Sequence, residues 1–181
     1  KRIREGIACM FSRFMMTLPA FIGQIFKFAL IVAFIGAASH YVGQLLPRKN
    51  FNYLEAPYAS YRWEQNGMFY TRFKIQFWKD KLPDMSQHVK SMFRKKISVF
   101  RDFDYLEELI LETCVAEFVH WMLVLLSPIF LVLMEGLAGR IGAALYAVGN
   151  LPFVMIQRYN RPRLVNLMER QKRQSLAESL Q

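Results

Sequence analysis

Polar and apolar positions follow one another along this chain in long blocks. Residues 18–46, 114–134 and 137–156 are apolar runs, each close to the ~20 residues that carry a helix across a bilayer. Before the first run, residues 1–17 have a basic tip and mixed character, which predicts an interfacial amphipathic helix turning at Pro19, or a re-entrant segment. In the polar block that follows, Asn66-Gly67 predicts a turn. The stretch 69–78 fits strand or helix, and 85–96 reads as a basic amphipathic helix. Asp102 or Asp104 is placed to cap a helix that continues through 114–134 and kinks at Pro128. A tight turn is expected over 135–140. The next helix, 141–156, should break near Asn150 and Pro152 and leave a polar notch. Pro162 should end it, with a separate frayed helix from Leu164. The fold class is thus an all-α integral membrane protein. It has about three transmembrane helices, the N-terminal amphipathic or re-entrant segment, and a basic, aromatic-rich, membrane-apposed middle region. The expected parts are 1–46, 47–101, a helical hairpin over 102–164, and a basic tail over 165–181.

Composition sharpens this picture. The 181 residues are 54% hydrophobic, yet the formal net charge is +10. A soluble globule reconciles these poorly, whereas segregated blocks reconcile them well. Between residues 47 and 101 stand twelve basic residues against four acidic ones, interleaved with twelve Phe, Tyr and Trp. That is the composition of a surface lying on headgroups, and equally of a small solvated domain. Because the cations adjoin apolar spans, nucleic acid is set aside in favour of anionic lipid or a phosphorylated substrate. Three spans put the middle block and the tail on one side, and their charge places that side in the cytoplasm. Cys9 and Cys114 have no metal-ligand or disulfide spacing.

Two constellations carry candidate chemistry. Glu117 and His120 stand three apart on one helical face, at the edge of the bilayer. Ionisable residues there are costly and tend to be functional. A carboxylate within reach of the imidazole would fix its tautomer and make His120 a general base; a buried polar pair that ties helices together is the other reading. A Glu-x-x-His element also serves di-iron sites, but these need a second copy, which is absent from this sequence. No metal is therefore expected. The second constellation is Gln157-Arg158-Tyr159-Asn160-Arg161-Pro162-Arg163. Its guanidinium forks suit a phosphate or carboxylate at the membrane exit, although a stop signal of plain positive charge reads the same way.

Ala116-Glu117-Phe118-Val119-His120-Trp121, then Asn150-Leu151-Pro152 and the Gln157–Arg163 motif with Leu164, resemble the glycosyl-diaponeurosporenoate acyltransferase family of carotenoid synthesis. Trp78-Lys79-Asp80-Lys81-Leu82-Pro83, Tyr61-Arg62-Trp63-Glu64 and Asn66-Gly67 resemble its middle region. The resemblance implies transfer of a fatty acyl chain onto a hydroxyl of a glycosylated lipid. The expected catalytic residues are His120 and Glu117. Asn150, Gln157, Arg158, Asn160, Arg161, Arg163, Trp121, Trp78, Lys79 and Asp80 are the expected binding residues. The donor would be a thioester, acyl-CoA or acyl carrier protein, with its phosphates on the arginines and no tightly bound cofactor. Membrane lipids and a lipid or glycolipid acceptor are the expected partners; oligomeric state is not legible. A non-catalytic lipid-binding or assembly subunit and another small-group membrane transferase are the alternatives.

Overall fold

The computed structural model describes residues 2–82 and 103–179, with side chains from residue 19 onward. The amphipathic helix expected over 85–96 and the cap expected at Asp102 lie outside the described residues. All regular structure among the described residues is helical. Helix α1 covers Arg2–Leu45. Short stretches of tighter helix follow at Arg48–Asn50, Arg62–Glu64 and Met68–Phe73, then α2 at Ile75–Trp78. Helices α3, Phe103–Leu126, α4, Ile129–Leu133, and α5, Gly136–Ser179, complete the chain. Among the described residues, three stretches are long and apolar enough to cross a membrane: Pro19–Leu45, Phe103–Leu126 and the long α5. The protein is an all-α integral membrane protein. The ambiguous stretch 69–78 is helical, and Asp104 stands inside the first turn of α3 rather than capping it.

The prolines correct the expected breaks. Pro19 lies inside α1, and Pro152 and Pro162 lie inside an unbroken α5. Each removes one N–H from the helical ladder, but a segment in lipid has no cheaper way than a helix to satisfy its other backbone groups. Ser127-Pro128, by contrast, does interrupt the helix, in a turn between α3 and α4.

The chain forms two compact units, Lys1–Gln44 with Leu123–Gly149 and Leu45–Met122 with Asn150–Gln181. In the first, Phe28, Ile31, Val32 and Ile35 form the less exposed stripe of α1, at helical spacing. Phe28 meets Phe130 with ring centroids 5.0 Å apart, and Phe130 meets Tyr146 at the same separation. At Gly139, a Cβ would come 2.5 Å from the Met134 carbonyl oxygen, so the turn into α5 needs glycine there. Phe26 and Phe34 point outward, 65% and 77% exposed; lipid covers such a face at no hydrophobic cost. The second unit holds every polar constellation singled out above.

Candidate functional site

In the second unit α3 and α5 run antiparallel. Thr113 meets Arg161, Glu117 meets Arg158 and Arg161, and His120 meets Asn150. The loop from Pro57 to Tyr70 closes over the first two of these levels. Glu117, 2% exposed, accepts from Arg158 Nη1 and from Arg161 Nη2, each at 2.6 Å. Glu64, 1% exposed, accepts from Arg158 Nε and, at 2.7 Å, from Nη2. Tyr70 Oη and the Tyr61 backbone N–H also donate to Glu64. Arg158 donates further to the carbonyls of Pro57 and Ala59. A guanidinium has five N–H donors, and Arg158 has placed all five. Arg161 places Nε on Thr113 Oγ1, Nη1 on the Tyr58 carbonyl, and Nη2 on the Thr113 carbonyl as well as on Glu117. Tyr61 and Tyr58 lie against the two guanidinium planes. Two cations and two anions thus form a buried, neutral network. Burial acts to raise the Glu64 carboxyl's pKa, but hydrogen bonds from Arg158, Tyr70 and Tyr61 outweigh it and hold the group below its ordinary range. Burial first, then the bond to Glu64, pushes the Tyr70 phenol well above its ordinary value.

This geometry bears on two expectations. Both oxygens of Glu117 accept from arginines, and permanently charged forks compete strongly with an imidazole for one carboxylate. All five donors of Arg158 and four of the five of Arg161 rest on protein acceptors. Arg163 differs. It stacks over Tyr159 at 3.4 Å, donates Nη1 to the Tyr159 carbonyl, and with Asn166 and Arg170 lines a groove of about 350 Å³. Gly67, at φ +83°, lies so close that a Cβ would come 3.2 Å from the Arg163 guanidinium and the Tyr159 carbonyl oxygen. Left-handed backbone and close approach both demand glycine here. A second cavity of about 270 Å³ opens over the ion network between Tyr58, Ser60, Asn66 and Asn166.

His120 sits one turn beyond Glu117, half-buried. Asn150 Oδ1 lies 2.9 Å from its Nδ1, and Phe153 stacks on the ring at 4.6 Å with planes 8° apart. In the tautomer that donates Nδ1–H to this oxygen, the basic lone pair stands on Nε2. Gln157 is buried and Asn160 half-buried on α5, while Trp121 is 44% exposed. Trp78 is elsewhere. It packs against the cluster of Tyr70, Ile75, Ile156 and Tyr159 and donates to the Phe73 carbonyl, and the adjacent Lys79 and Asp80 pair with each other at 2.8 Å. Glu64 and Tyr70 were missed as site-building residues. The signal available was a carboxylate set between aromatic residues in a strongly basic block.

Residues 54–170 match the family model described as glycosyl-4,4'-diaponeurosporenoate acyltransferase. The chain belongs to this family. Proteins of that name from Staphylococcus aureus strains bovine RF122 / ET3-1, USA300 and NCTC 8325 are each 31% identical over 135 residues, covering 73% of this chain and 80% of theirs. The matched span takes in the ion network, His120, Asn150 and the Arg163 groove. The protein is an acyltransferase enzyme. No solved structure matches it.

Proposed function

We propose that this acyltransferase moves a fatty acyl chain from a thioester donor to a hydroxyl of a glycosylated lipid, with His120 as general base. The observation that carries the reading is the Nδ1–Oδ1 bond of His120 and Asn150, which points a basic Nε2 away from the amide in a half-buried, apolar setting. His120 Nε2 takes the acceptor's hydroxyl proton as the oxygen attacks the thioester carbonyl. The tetrahedral intermediate collapses, the C–S bond breaks, and the imidazolium returns the proton to the departing thiolate. Transfer is direct, since Cys114 is fully enclosed and the sequence holds no Gly-x-Ser-x-Gly elbow. The relatives' name supports a glycosyl lipid as acceptor. Acyl-CoA or acyl carrier protein is the donor. With Arg158 and Arg161 consumed by the ion network, Arg163 and Arg170 are the members of the basic run that offer its phosphates a guanidinium. Asymmetric charge supports placement in a bacterial plasma membrane with the donor side cytoplasmic. Purified enzyme in lipid nanodiscs, given acyl-CoA and a glycolipid, should yield a new acyl ester and stoichiometric free thiol. Thiol release without ester would instead indicate a thioesterase.

A further inference from the structure

The loop that closes over the ion network has an outer face with no role in the reaction above. Tyr61 stacks on Trp63 with centroids 6.4 Å apart, Trp63 meets Phe69 at 5.1 Å, and Phe69 meets Phe73 at 5.7 Å. These contacts make one contiguous strip of rings, and Trp63 and Phe73 in it are 55% and 52% exposed. Met68 and Phe77 stand exposed in the same stretch. Such a continuous apolar strip on a protein surface marks a binding face. Its rim is cationic: Arg72 lies over the Phe69 ring, and Arg62 and Lys74 are exposed. The only acidic side chain between Tyr61 and Trp78, Glu64, is buried on Arg158.

The inner side of the loop fixes its depth. Tyr70 and Ile75 pack on Ile156 and Tyr159 of α5, where that helix's apolar run gives way to Arg158, Arg161 and Arg163. This is the level at which hydrocarbon meets headgroups. We infer that the Tyr61–Trp63–Phe69–Phe73 strip with Arg62, Arg72 and Lys74 is a seat on the surface of an anionic phospholipid membrane. Aromatic rings enter the headgroup layer and the cations meet lipid phosphates. A second copy of this chain fits the strip poorly, because a two-fold contact would bring these same cations face to face.

The test uses the full chain with Trp78→Phe and Trp121→Phe, leaving Trp63 as the only indole, in nanodiscs with and without phosphatidylglycerol. Phospholipids brominated near the headgroup should quench Trp63, and acrylamide should quench it about fivefold less than free tryptophan. Arg72→Gln with Lys74→Gln should weaken lipid quenching in phosphatidylglycerol discs and leave it unchanged in phosphatidylcholine discs. Trp63 open to acrylamide and untouched by brominated lipid would overturn the assignment. Shielding from both quenchers would replace lipid with a protein partner. Lipid quenching that ignores phosphatidylglycerol and both substitutions would remove the anionic preference.

Discussion

Glu117 and His120 stand one turn apart on α3, yet they belong to two polar sites built in different ways. Around Glu117 the charges are buried and paired. Four charges cancel, nine guanidinium N–H donors are placed, and three loop carbonyls are among their acceptors. Around His120 the arrangement is less charged: a neutral amide lies at Nδ1, an aromatic face supports the ring, and part of the residue remains exposed. A closed ionic network in a low-dielectric setting specifies structure and resists change. A half-buried imidazole held by a neutral amide suits the proton transfer proposed for His120. Neighbours distant in sequence thus set the two residues apart.

Breaking the closed site should have the largest effect. Glu117→Gln leaves two buried guanidiniums against one carboxylate. It should cost about 3–5 kcal/mol of stability, read as a fall in the thermal midpoint of the purified protein in detergent. An unchanged midpoint would mean that the network is not what holds the loop to α3 and α5. Asn150→Ala strikes the His120 site instead. It frees the imidazole to rotate, so turnover should drop by up to about a hundredfold, with the midpoint near that of the unaltered protein. A variant that unfolds early but turns over normally would reverse the two roles.

The pH dependence of stability separates the sites more gently. Glu64 has a depressed folded-state pKa, so its contribution is whole above the ordinary carboxylate value of 4.5 and is lost as pH falls through the lower folded value. Tyr70 is raised, so its contribution is whole below about 10 and fades as pH climbs further. Thermal midpoints should therefore stay level between about pH 5 and 9.5 as far as these two groups decide. They should decline outside that window, and Tyr70→Phe should abolish the alkaline decline while leaving the acid one.

Much of this was legible from local pattern. The apolar runs announced the spans, and a glutamate and a histidine at the bilayer's edge announced themselves by their cost. Partner choice was not legible, because it depends on long-range closure. Glu64 reaches Arg158 across 94 positions and takes from the arginine the freedom that its motif seemed to advertise. Pro152 and Pro162 misled for a related reason. Proline's local preference says break, yet α5 runs through both residues as one helix. Asn150 stood out as polar within an apolar helix, but its contact with His120 emerged only once α3 and α5 were paired.

The most direct measurement is turnover per folded molecule in His120→Ala, beside the thermal midpoint of the same preparation. Loss of a general base should lower the rate by ~10²–10⁴-fold, with the midpoint held because the ion network is untouched. A folded His120→Ala enzyme that still forms the acyl ester at close to the normal rate would contradict the account.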